Sequence, residues 1–198
     1  MKSIFRFLFF VFTGIFFSCN NNYTAGKKKG YFKIEFPQKE YKQFNEPGYP
    51  YTFEYPVYAA IMKDTSFFDD KPENPWWINI EIPRFAGRIY ISYKEIGTKN
   101  KFDSLVNDAF KMAYKQHTSK ANSIEPEEFV SQHNLHGVYF SLTGNAATAN
   151  QFFISDSTRH FLRGALYFDT TPNEDSLGIV NAFLKKDLEH LINTLTWK

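Results

Sequence analysis

The chain has one cysteine in 198 residues, which excludes an internal disulfide framework. Thiolate zinc sites that draw on two or more cysteines are excluded with it. Long apolar runs are also missing. A helix that spans a bilayer needs roughly 20 apolar residues, and the longest candidate runs only from Phe7 to Phe17. Charge of one sign is not in excess: 23 Lys and Arg stand against 21 Asp and Glu. That balance provides no basic footprint for nucleic acid. There is no internal repeat, no glycine-rich loop to cradle phosphate and no G-x-S-x-G nucleophile elbow.

What is present begins at the amino terminus. Lys2 and Arg6 precede the phenylalanine-rich stretch, and small Ser18 precedes Cys19. The stretch has the length of a signal-peptide apolar core. The whole has the shape of a bacterial lipobox, with Phe16 and Phe17 where aliphatic and small residues are usual. The reading is a signal peptide over 1–18 and lipidation at Cys19, which also accounts for a lone thiol on an exported chain. An ordinary signal peptide or an uncleaved anchor helix is the alternative. Removal of Lys2 and Arg6 leaves the mature chain formally neutral. Residues 19–30 are polar and glycine-containing, and read as a lipidated tether. Its Lys27, Lys28 and Lys29 each contribute about 1 kcal/mol beside an anionic lipid surface, or else form a solvated linker.

Residues 31–198 have even composition and suit one domain with a full core. Aromatic residues make up 19% of the chain, so that core is expected to be ring-rich. Alternation predicts a strand near 53–57 and a hairpin of 76–82 with 88–94. Helical spacing of Phe102, Leu105, Val106, Ala109, Phe110 and Ala113 predicts the first helix. Further strands are expected at 127–133, 137–143, 149–155 and 160–168. A last helix is expected from 176 to about 195, with Leu177, Val180, Leu184, Leu188, Leu191 and Leu195 inward and Lys185, Lys186, Asp187 and Glu189 on the solvated side. Tight turns make the strands antiparallel. The predicted class is α+β: one antiparallel sheet flanked by two amphipathic helices, like a Mog1/PsbP-type α/β/α sandwich by analogy.

Chemistry is thinly represented. His133 and His136 form H-x-x-H on a turn, two ligands where zinc needs three or four. Asp156, Ser157 and His160 lie close in sequence, but Asp and Ser are also ordinary turn residues. Glu125, Glu127 and Glu128 surround Pro126 and read as a soluble loop leading into a strand. No metal, cofactor or catalytic residue is therefore expected. Adjacent Trp76 and Trp77 are expected to place one ring inward and one outward, the outer ring beside Phe67, Phe68 and Tyr90 as a binding patch. Arg163 sits in an apolar run, Phe161 to Leu166, so partial burial with an acidic partner is expected.

The second half carries a longer match. Gly144-Asn145-Ala146-Ala147, Gln151-Phe152-Phe153, Asp156-Ser157-Thr158, His160 to Phe168 and Pro172-Asn173 resemble the signature region of the gliding motility lipoprotein GldD family of Bacteroidota. GYFKIEFP at 30–37, YTFEYPVYA at 51–59, ISYK at 91–94 and the terminal LTWK agree with it. The resemblance implies a non-enzymatic, lipid-anchored accessory or assembly protein of gliding motility and type IX secretion. It implies contact with other envelope proteins of that machinery, with the membrane through Cys19, and not with nucleic acid. No acid follows the cysteine before Glu35, which favours a periplasm-facing position over surface display. The candidate interaction surface comprises Trp76, Trp77, Asn145, His160 and Arg163. An envelope hydrolase and a periplasmic chaperone are the rival readings.

Overall fold

The computed structural model describes residues 33–65, 72–115 and 117–198. Cys19, the proposed signal peptide, the tether, Phe67 and Phe68 lie outside the described residues. Contacts divide the chain between Lys33 and Ile34, and the fold below is that of Ile34–Lys198.

Alternation builds the centre. In β4 (Ile78–Ile82) the three isoleucines are buried while Asn79 and Glu81 are half-buried. In β5 (Gly87–Glu95) Ile89, Ile91 and Tyr93 are buried on that same face. A short 3-10 turn, Pro83–Phe85, joins the two. The hairpin is present as predicted, but Trp76 and Trp77 precede its first strand. Three short strands come before it: β1 (Tyr41–Phe44), β2 (Tyr51–Pro56) and β3 (Ala60–Lys63).

Helix α1 (Phe102–Lys115) follows β5. Then come β6 (Ala121–Val130), β7 (His136–Gly144), β8 (Asn150–Ser155) and β9 (His160–Phe168). β6 begins six residues earlier than the alternation suggested. It runs through Pro126, so the three glutamates lie on a strand and not in a loop. Among the described strands it pairs only with β7, and an edge strand tolerates a residue with no N–H to donate. Helix α2 (Glu174–Thr194) closes the domain, followed by the two-residue β10 (Thr196–Trp197).

The strands form a seven-stranded antiparallel sheet in the order β3-β4-β5-β9-β8-β7-β6, and a three-stranded sheet β1-β2-β10. Side-chain parity assigns the helices to opposite faces of the large sheet. Leu105, Ala109 and Ala113 of α1 pack with Val138, Phe140, Phe153 and Phe161. Val180, Leu184, Leu188, Leu191 and Ile192 of α2 pack with Ile80, Ile91, Phe152 and Leu162, together with Tyr51 and Phe53 of the small sheet. Each fully buried leucine or phenylalanine contributes about 1.5–3 kcal/mol. The fold is thus α+β, a single domain with an antiparallel sheet between two helices.

α2 is capped from two directions. The Asn173 side chain accepts from the Ser176 N–H at 3.2 Å, and Asn145, from the β7–β8 turn, accepts from the Glu174 N–H at 3.1 Å. Glu174 and Asp175 add negative charge to the first turn, where the helix dipole favours it.

Candidate functional site

Adjacent residues of β9 serve different environments. Its register runs unbroken from His160 against β5 and from Phe161 against β8. Phe161 therefore joins the α1 side, and Leu162 joins the α2 side. His160 shares the α2 side with Leu162, and Arg163 shares the α1 side with Phe161.

On the α2 side His160 is buried. Its Nδ1 lies 2.7 Å from the Tyr93 hydroxyl, and its ring stacks on Trp197 at 4.9 Å between centroids. Burial pushes the His160 pKa down, against a smaller upward pull from Asp156. Burial likewise pushes the Tyr93 hydroxyl up to about 12. Trp77 is buried, and its indole N–H donates to the Tyr93 carbonyl at 2.8 Å. Trp76 is half-buried. Its ring meets Tyr93 edge-on, and its indole N–H donates to the Gly48 carbonyl at 2.8 Å. Both tryptophans and His160 thus converge on Tyr93, where they tie loops to the sheet.

Asp156 and Ser157 do not engage His160 as a triad. One Asp156 oxygen accepts from the backbone N–H groups of Thr158, Arg159 and His160, at 2.8–3.0 Å. Burial alone would raise that carboxyl, but the three donors outweigh it and hold it low. Ser157 occupies the left-handed region at φ 63 and its N–H donates to Ser155 Oγ. The segment is a turn whose polar groups satisfy one another.

The same helix face carries a buried carboxylate that the sequence reading misplaced. Asp187, expected on the solvated side of α2, is 1% exposed. Lys39 Nζ lies 2.6 Å from its Oδ1, Tyr41 donates to Oδ1 at 3.0 Å and Tyr58 donates to Oδ2. Lys39 also donates to the Phe183 carbonyl and sits 3.4 Å from the Phe183 ring centroid. Burial, then Asp187, pushes both tyrosine hydroxyls up. Spacing carried the signal: Leu184, Asp187 and Leu191 follow the three-and-four step of the apolar stripe.

On the α1 side Arg163 is part-buried, as expected, but its partners are not acidic. It donates to Gln151 Oε1 at 2.5 Å and bonds the Tyr167 hydroxyl. Among the described residues no carboxylate pairs with it. Burial pushes the Arg163 pKa down. His117, just beyond α1, lies near enough to feel its charge. Burial, then Arg163, pushes that histidine down too. Neither His117 nor Gln151 stood out as a site residue: Gln151 entered only within the family match, because a polar residue buried on a strand covered on both faces leaves no trace in alternation, and His117 lies in the turn beyond α1.

Further along this side an open groove of about 490 Å³ runs between α1 and β6. Phe102, Val106, Phe110, Phe129 and Val138 line it, so it presents apolar surface. His136 lies there, and among the described residues no three His, Cys, Asp or Glu side chains are grouped to hold a metal ion. The described residues include no helix long and apolar enough to cross a membrane.

No curated protein sequence matches the chain. Among solved structures, the solution structure of cyanobacterial PsbP (CyanoP) from Synechocystis sp. PCC 6803 is 8% identical with a TM-score of 0.47, and covers 86% of this chain and 98% of that one. The model of the gliding motility lipoprotein GldD family matches residues 20–197, nearly the full length, and the chain belongs to that family.

Proposed function

We propose that this gliding motility lipoprotein is an accessory or assembly factor that works by protein–protein contact. It serves the gliding and type IX secretion machinery from the periplasmic side of the inner membrane or the outer membrane's inner leaflet. Residues 1–18 act as the signal, Cys19 carries the lipid, 19–30 form the tether and 31–198 fold as the working domain. The observation that carries the non-catalytic reading is the division of β9. An envelope hydrolase built on this segment needs His160, Arg163 and an acid around one reacting atom. His160 and Arg163 lie on opposite faces of the sheet, and Asp156 is committed to backbone amides.

The test is purification of the full-length protein from cross-linked membranes in detergent. Recovery of other envelope components of the gliding and secretion machinery is expected. A His160→Phe variant that folds but loses a hydrolytic activity present in the wild type would overturn the reading. In a Cys19→Ser variant exported by a soluble signal, release from the membrane is expected, and tight membrane association would show that lipid is not the anchor.

A further inference from the structure

The α1 side of the sheet holds three polar groups that do not complete one another. Arg163 can only donate, so the Gln151 side chain must turn its oxygen to the guanidinium. That orientation fixes the rest of the amide. Gln151 Nε2 has no hydrogen-bond partner among the described residues and belongs to a residue 1% exposed. His117 Nε2 is also without a partner among the described residues, in a residue 4% exposed. Gln151 lies against a cation that no carboxylate among the described residues pairs with, and His117 lies near enough to feel that charge.

Each deficiency is costly alone. An unsatisfied buried polar group costs about 1–3 kcal/mol, and a buried charge is normally paired. The three deficiencies share one remedy, an acceptor that carries negative charge. A water molecule accepts from Gln151 but leaves the guanidinium uncompensated. A cation is repelled by Arg163. An oxyanion meets every requirement: one oxygen takes the spare guanidinium N–H groups, another takes the Gln151 amide, and His117 Nε2, as the N–H tautomer, donates a third bond. Arg163 remains part-exposed, which leaves the group reachable from solvent.

We propose that Arg163, Gln151 and His117 form a binding site for a small oxyanion, a carboxylate or a phosphate group, on the α1 side of the sheet. Recognition is by charge-assisted hydrogen bonds, with the arginine fork setting the orientation.

The experiment is thermal unfolding of the full-length protein in detergent, titrated with potassium phosphate in one arm and potassium acetate in the other. Potassium chloride at matched ionic strength is the control. The wild type is expected to show a saturable rise in melting temperature with at least one of the two anions and none with chloride. A response to acetate alone assigns a carboxylate site, and one to phosphate alone assigns a phosphate site. Arg163→Met is expected to abolish the response, and Gln151→Leu to weaken apparent affinity about tenfold, as loss of one bond to a charged group implies. The wild type also provides a readout that needs no variant: the Gln151 side-chain amide and His117 ring signals in NMR are expected to move saturably with the same midpoint. Equal responses in wild type and Arg163→Met, no saturable response to either anion, or Gln151 and His117 signals that stay fixed would overturn the proposal.

Discussion

The domain treats the charges of Asp187 and Arg163 in opposite ways. On the α2 side Asp187 is enclosed, and every neighbour answers it: a lysine and two tyrosines, all from the segment before β4. On the α1 side Arg163 has an amide oxygen and a phenol, and no anion among the described residues. The first arrangement is complete and can only be disturbed. The second is incomplete and can be improved by something that arrives. Self-satisfied buried networks hold folds together, while an unbalanced one marks a place for a ligand or partner. The difference assigns structure to one face and recognition to the other.

Removing the paired charge is the strongest way to test that assignment. Asp187→Ala strands Lys39 and two tyrosine hydroxyls, and is expected to cost about 3–5 kcal/mol. Urea unfolding measures it, and a loss under about 1 kcal/mol would remove the contrast.

The packing of the same face supplies the next test. Gly164 shares the face of Leu162, and a methyl group there would meet the Phe152 ring at 2.2 Å. Phe152 is itself buried, with little room to retreat. Gly164→Ala is expected to cost about 1–3 kcal/mol by overpacking, read from the same denaturation curves.

Arg163→Met removes a charge that no carboxylate among the described residues pairs with, but it strands the Gln151 oxygen, and is expected to cost about 1–2 kcal/mol. A loss of several kcal/mol would mean that Arg163 is as structural as Asp187.

The two histidines give the finest comparison. His160 and His117 both have pKa values below that of the unfolded chain, near 6.5. Both are neutral in the fold, so their contribution is present above that value and is lost as pH falls through the depressed folded pKa. Stability should therefore decline below pH 6.5. Arg163→Met should raise the His117 pKa by removing the nearby charge and leave His160 unchanged, which NMR titration of the two rings would report.

The central hairpin, both helices and the β7–β8–β9 meander were legible because their apolar residues alternate or recur at helical spacing. β1, β3 and β10 were not, being two to four residues long and too short for a period. Pro126 made the first part of β6 look like a loop, because proline is hard to reconcile with a strand unless the strand is known to be an edge. Trp76, Trp77, Asn145, His160 and Arg163 were visible as unusual residues, but their grouping was not. Parity along β9 separates His160 from Arg163, and sequence offers that parity only once the strand's two faces are known to be buried under different helices. Asp187 was legible in principle from its place on the leucine stripe. Gln151 and His117 were not, since what distinguishes them is a missing partner.

The most direct test of the division between the faces is gliding in cells whose only copy of the protein carries Arg163→Met, with its abundance in membranes measured alongside. The account predicts abundance near that of the wild type and impaired gliding, because the substitution spares the fold and removes the recognition group. Full gliding at normal abundance would contradict it.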